Sequence, residues 1–273
     1  MLNVKCQMLK GGRQVDAIRG RTAEGDAVSG IGRDGGVDCF AMARKARIAP
    51  GGWIYHVVNR SAGRIRMLKS QKDFAAFDRV MLQAYERCPL RILSYCIMSN
   101  HWHFVAWPRK DGELTEFFRW LAHTHAMRWR VSHNTVGYGH LYQGRYKSFP
   151  VQPGPSLLKV CRYVERNPLT AGLVERAEDW RWSSLWVREH GAAEQKALLH
   201  EWPVPRPGDW SDRVNAVTSK KEQSRWEVSL SRSRPFGDDG WTAQTVKALG
   251  LEHTVRGEGG NQYAKAGEEC QNH

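Results

Sequence analysis

The run LRILSYCIMSNHWHFVAW, Leu90–Trp107, decides the fold. Two stretches rich in β-branched and aromatic residues, Leu90–Met98 and His101–Trp107, flank the turn signal Ser99-Asn100. That is the pattern of two strands joined as a hairpin. Side chains alternate across a strand, so His101 and His103 leave one face while Trp102 and Phe104 leave the other, into a core. Two imidazoles on one face can share a divalent metal ion, although an isolated pair of this kind is more often two solvated histidines. A second pair, His123 and His125, falls in a helical stretch, where residues two apart point to nearly opposite sides; it cannot chelate and reads as surface and packing.

Upstream, Trp53–Val58 (WIYHVV) reads as another strand. Ser70 through Asp73 forms a capping-box pattern opening an amphipathic helix, with Phe74, Phe77, Met81, Ala84 and Tyr85 on one face and Pro89 ending it. Downstream, Leu114, Phe117, Phe118, Leu121 and Ala122 repeat at helical spacing from Glu113 to about His133. A loop with Gly137, Gly139 and Gly144 leads to a fourth strand, Lys147–Gln152. A helix from Ser156 to Asn167 is then stopped by Asn167-Pro168. The order β-α-β-β-α-β plus one helix predicts an α+β fold. Its antiparallel sheet is a ferredoxin-like split βαβ with helices on one face, the other face free for a ligand, and the last helix packed near the sheet.

Residues 1–41 are glycine-rich and aperiodic and read as a disordered leader, with Met42 as an alternative start. Residues 42–190 form the main domain. Residues 191–273 form a Pro-rich linker, Trp202–Pro207, and a small helical C-terminal extension from about Ser211 to Leu251. The net charge is +13, and its placement says more than its size. Met42–His190 holds 24 Lys and Arg against 11 Asp and Glu, while the remaining residues are balanced. A basic excess confined to one segment fits a polyanion such as nucleic acid, and equally a solvated basic surface. Six scattered cysteines without a C-x-x-C pair read as reduced thiols and argue against a cysteine-zinc site. No apolar run spans a membrane and no secretory signal opens the chain, so a soluble cytoplasmic protein without a membrane partner is expected.

Tyr163 and Asn167, four apart on a helix, share one face. A phenol is a possible nucleophile and a carboxamide oxygen a possible third metal ligand, beside the plainer readings of a packing tyrosine and a helix stop. A tyrosine with pKa near 10 needs help to attack a phosphodiester at neutral pH. A metal ion on the phosphate gives that help, and mixed imidazole and amide-oxygen ligands suit Mn²⁺ or Mg²⁺.

Several motifs then occur in order: Tyr55–Arg60 (YHVVNR), Met98–Phe104 (MSNHWHF), Tyr142–Ser148 (YQGRYKS), Arg162–Pro168 (RYVERNP), Ala171–Val174 (AGLV) and Trp182–Ser184 (WSS). Together they resemble the REP-associated tyrosine transposases, a branch of the single-tyrosine HUH transposases, over about Ala43–Leu185. The resemblance implies that His101, His103 and Asn167 hold a divalent metal and that Tyr163 is the nucleophile. It implies an endonuclease and strand transferase acting on single-stranded DNA at repeat hairpins, through a 5′-phosphotyrosine, as a monomer or homodimer. Thr170 departs from the Arg common after Asn-Pro in the family, and the basic end often seen on the family's C-terminal extension is absent.

Arg44, Lys45, Arg47, Arg145 and Lys147 are the expected DNA contacts, with Tyr142, Tyr146 and Trp53 as possible base-stacking platforms whose plainer role is core packing. Two other readings share these features: an HUH replication initiator, and a domesticated hairpin-binding protein that no longer cleaves. Intact His101, His103, Tyr163 and Asn167 weigh against the second.

Overall fold

The computed structural model describes residues 48–256. Expected elements of the central segment form in order: β1 (Ile54–Arg60), α1 (Gln71–Arg87), β2 (Arg91–Ile97), β3 (His101–Trp107), α2 (Glu113–Ser132), β4 (Lys147–Val151) and α3 (Pro155–Thr170). They build an antiparallel sheet of order β2-β3-β1-β4, the ferredoxin-like arrangement. Smaller helices follow: α4 (Ser184–His190), α5 (Ala193–Ala197), α6 (Trp210–Asn215), α7 (Lys220–Arg232) and α8 (Asp239–Ala248). No helix among the described residues is long and apolar enough to cross a membrane. Cys88, Cys96 and Cys161 are free and buried.

Helix α1 starts where the sequence says. The Ser70 side chain accepts from Asp73 N–H, and the Asp73 carboxylate accepts from Ser70 N–H in return. Its apolar stripe, Phe74, Phe77, Val80, Met81 and Ala84, is buried. It packs with Leu114, Phe117, Phe118 and Leu121 of α2 against Tyr55, Val57, Trp102, Phe104 and Ala106 of the sheet. This face is apolar almost throughout, and its burial is the main stabilising term of the domain.

The second face of the sheet departs from expectation. It is covered rather than open: Ile54, Cys96, Val105, Phe149 and Val151 pack beneath Leu157, Val160, Cys161 and Val164 of α3. Trp210 and Val214 of α6, Trp226 of α7 and Phe236 extend the same core. The reason lies in the strands, which carry apolar residues at both parities and therefore need partners on both faces. A register shift between Ile92 and Ser94 contributes, because an extra residue in β2 turns Leu93 and Ser94 towards α3.

The end of α3 is the second departure. Asn167-Pro168 does not stop the helix, which runs on to Thr170 with Pro168 inside. Proline removes the N–H that would bond the carbonyl of Val164. The Asn167 side-chain amide compensates by donating to the carbonyls of Tyr163 at 2.9 Å and Val164 at 3.5 Å. One more turn then closes through Ala171 N–H to the Asn167 carbonyl at 3.0 Å.

Beyond His190 the chain stays against the sheet. His200 N–H bonds the Ile92 carbonyl at 2.8 Å, and the Trp202 indole donates to the Leu93 carbonyl at 2.7 Å. Helix α3 is anchored from below by Glu165, which is fully buried. Its carboxylate accepts from Ser94 at 3.1 Å, Ser184 at 2.5 Å and the Trp210 indole at 2.6 Å. Strand β2, α4 and α6 thus converge on one group next to the tyrosine face of α3.

Candidate active site

Strand β3 sits between β2 and β1, with His103 opposite Cys96 on one side and Val58 on the other. Alternation sends His101 and His103 to the α3 face, and their rings meet edge to face with centroids 4.9 Å apart. Tyr163 descends from α3 so that its ring stands edge to face on His103 at 5.7 Å. Asn167, one turn further on, lies against both the Tyr163 hydroxyl and the His101 ring. The structure therefore brings His101, His103, Tyr163 and Asn167 together from two elements.

Each imidazole has a defined partner. His101 Nδ1 bonds the Asn100 side-chain oxygen at 2.6 Å. Since that oxygen can only accept, Nδ1 carries the proton and Nε2 keeps its lone pair. His103 Nδ1 lies 2.9 Å from His56 Nε2, and His103 Nε2 is buried with no hydrogen-bond partner among the described residues. A buried polar nitrogen without a partner costs about 1–3 kcal/mol, so a native site that keeps one invites a ligand.

Burial keeps these groups neutral. It lowers His101 to about 4, with the Arg60 charge adding to the effect and Asn167 opposing it. It also holds His103 well below the ordinary histidine range, helped by His101, His56 and Arg60. Burial raises the Tyr163 phenol, against the pull of the Trp226 indole, Arg60 and Asn167. Neutral imidazoles are the form that binds metal. Two imidazole nitrogens and an amide oxygen form a donor set that fits Mn²⁺ or Mg²⁺.

A cavity of about 850 Å³ opens beside Tyr163 and His103, lined in part by Arg60, Arg64, Arg145 and Lys147. Arg145 and Lys147, expected from sequence as DNA contacts, are both exposed and border it. Arg44, Lys45 and Arg47 lie outside the described residues. Two expectations about aromatics are corrected. Tyr142 is buried, bonded to the Trp102 indole at 3.1 Å and His125 Nδ1 at 2.7 Å. Tyr146 is buried against Phe118. Both belong to the α1/α2 core, where apolar contact outweighs exposure for a base. Trp53 is partly buried and packs on Trp241. His125 is likewise a packing residue, and His123 is exposed.

Three residues of the site escaped sequence reading as site residues. His56 is fully buried on β1 and touches His103, Phe149 and Trp226 with ring centroids 5.1, 4.8 and 4.9 Å away. Trp226 of α7 lies on the Tyr163 ring at 4.0 Å, its indole N–H buried and outside hydrogen-bond geometry. Arg60 ends β1 opposite His101 and lends positive charge to His101, His103 and Tyr163 alike. The Tyr55–Arg60 motif pointed at two of them. Nothing local to residue 226 could have pointed at the third.

Residues 52–167 match the model of a family described as transposase IS200 like. No curated protein matches the chain. Among solved structures, one described as the REP associates tyrosine transposase bound to a REP hairpin matches 56% of this chain and 89% of its own, with 16% identity and a TM-score of 0.43. A likeness that remote carries no argument about what this chain binds.

Proposed function

We propose that this chain, whose residues 52–167 match the model of the IS200-like transposase family, is a metal-dependent endonuclease and strand transferase acting on single-stranded DNA at hairpins. One observation carries the reading. Two neutral imidazoles on β3 and the Tyr163–Asn167 face of α3 converge beside a cavity edged with cationic side chains. A packing cluster has no use for that combination, whereas phosphodiester cleavage needs every part of it.

In this proposal residues 42–190 carry the chemistry, and His101, His103 and the Asn167 oxygen hold Mg²⁺ or Mn²⁺. The bound ion would neutralise charge on the scissile phosphate and orient it for in-line attack. Tyr163 is the nucleophile. Its oxygen bonds to phosphorus, the bond from phosphorus to the 3′ oxygen breaks, and a 5′-phosphotyrosine and a free 3′-hydroxyl result. A second 3′-hydroxyl attacking the phosphotyrosine reverses the step and transfers the strand. Burial disfavours the free tyrosinate, so its charge must be compensated as it forms. Arg60 and the Trp226 indole are the groups already placed to do so. Arg145 and Lys147 supply phosphate contacts along the cavity, and Arg44, Lys45 and Arg47 are proposed to extend them.

Incubation of the protein with a labelled single-stranded hairpin oligonucleotide from its own genome, with Mg²⁺ or Mn²⁺, tests the proposal. A covalent protein–DNA band is expected that requires metal and disappears in Tyr163→Phe and His101→Ala. Hairpin binding with no adduct under any metal would leave a DNA-binding protein without cleavage. An adduct that persists in Tyr163→Phe would move the nucleophile elsewhere.

A further inference from the structure

His56 has no place in the reaction just described, yet it is the most enclosed polar side chain at the site. It is fully buried, boxed by Phe149 and Trp226, and its one hydrogen bond joins its Nε2 to His103 Nδ1 at 2.9 Å. The other nitrogens of the two rings, His103 Nε2 and His56 Nδ1, have no hydrogen-bond partner among the described residues. We propose that His56 is a positioning residue that accepts the Nδ1 proton of His103 and so fixes the tautomer and ring angle in which His103 presents its Nε2 lone pair to the metal. This rests on His103 being a ligand, as proposed above.

The argument is one of proton accounting. One proton is shared across the contact between the two neutral rings. If His56 Nε2 donates it, His103 must carry its own proton on Nε2, and its free nitrogen cannot bind a cation. If His103 Nδ1 donates it, His56 Nε2 accepts, His56 keeps its own proton on Nδ1 between its aromatic neighbours, and His103 Nε2 is a ligand. Metal-bound histidines regularly need an acceptor behind them, most often a carboxylate or a carbonyl. Here a neutral imidazole takes that place. It adds no negative charge to a site that must also receive a phosphate. The strand register makes the contact possible: His56 faces Val105 and Val58 faces His103, so the two histidines meet on the diagonal between β1 and β3. Phe149 and Trp226 pack on the His56 ring on the same side of the sheet.

The test is metal binding rather than cleavage. Mn²⁺ affinity is measured by electron paramagnetic resonance on the full chain carrying Tyr163→Phe, then with His56→Phe or His56→Gln added, folding being checked by circular dichroism. The Gln side chain keeps an acceptor near the position of Nε2; Phe keeps the ring and removes the acceptor. His56→Phe is expected to weaken Mn²⁺ about 10- to 100-fold, and His56→Gln to recover most of the loss. Equal affinity in a folded His56→Phe protein overturns the inference, as does a folded His56→Gln protein as weak as His56→Phe. Imidazole nitrogen shifts of the His56-intact protein without metal read the tautomer without any change at position 56. A proton on His103 Nδ1 supports the inference, and one on Nε2 refutes it. Should the His56-intact protein bind no Mn²⁺ through His101 and His103, the metal site itself fails, which is a separate result.

Discussion

The two faces of one sheet are built to different rules. Against α1 and α2 the strands present Tyr55, Val57, Trp102, Phe104 and Ala106, and the polar groups there, such as His125 and Tyr142, satisfy one another. Against α3 and α7 the same strands present His56, His101, His103 and Ser94 among their apolar neighbours, and His56 Nδ1, His103 Nε2 and the Trp226 indole nitrogen have no hydrogen-bond partner among the described residues. The pleat is common to both, since β3 sends Trp102 one way and His103 the other. Within the first core the chain Trp102–Tyr142–His125 pairs its polar atoms, whereas beside the cavity some stay open. The contrast predicts that variants on the first face change stability and variants on the second change chemistry.

Tyr163→Phe is the sharpest use of that contrast. It removes only the hydroxyl from a ring held by Trp226 and His103, so the thermal midpoint should move by no more than a few degrees. Adduct formation should fall by at least about three orders of magnitude, because no other group replaces the nucleophile. Trp102→Ala should do the reverse. It empties a fully buried site and should cost about 3–5 kcal/mol in denaturant unfolding, while the fraction that remains folded keeps its metal affinity. Equal effects of the two variants on both readouts would erase the distinction between the faces.

Glu165→Ala probes where the contrast is weakest, because Glu165 lies on the binding face and is fully satisfied. Its loss strips an acceptor from Ser94, Ser184 and Trp210 and should cost about 3 kcal/mol. A change below about 1 kcal/mol in urea unfolding would mean that the serines re-pair without it.

How far the sequence could be read follows the same division. The strand parity of His101, Trp102, His103 and Phe104, the Ser70 cap and the apolar stripe of α1 are local patterns, and each is realised as read. The failures are non-local. His56 sits in a run that reads as a plain strand, and its meaning appears only once β1 lies beside β3. Trp226 reaches Tyr163 from a helix more than 60 positions away. Pro168 obeyed a sound rule about helix ends, which one compensating Asn167 side chain overrides. The basic segment was visible as charge, but only the fold shows that Arg60, Arg145 and Lys147 share one cavity.

Acid should reveal the closed hydrogen bonds of the first face. The Trp102 indole can only donate to the Tyr142 oxygen, so the Tyr142 proton goes to His125 Nδ1. Burial, with a smaller contribution from His133 and opposed by Asp73, lowers His125 to about 3. The unfolded chain takes up that proton near pH 6.5. Between those values the unfolded state binds more protons, so stability is complete above about pH 6.5 and is lost as pH falls towards 3. The slope is up to about 1.4 kcal/mol per pH unit for one proton. Urea unfolding of His125→Gln between pH 6 and 4 should show a slope smaller by about one proton. An unchanged slope would place the acid sensitivity on the other face.

The smallest effect concerns the cavity rim. Arg145 and Lys147 are exposed, so replacing either should leave stability unchanged and alter only DNA affinity. On a single strand each neutralised phosphate contributes about 0.7 to the slope of log affinity against log salt. The double variant Arg145→Ala, Lys147→Ala should therefore lower that slope by about 1.4 for a hairpin with single-stranded flanks. Arg128 is an equally exposed cation, but it lies on α2, beyond the opposite face, and bonds Gln83 at 2.7 Å. Arg128→Ala should leave the slope where it was. If both substitutions lower it alike, binding follows net charge rather than the cavity, and the asymmetry between the two faces does not extend to DNA.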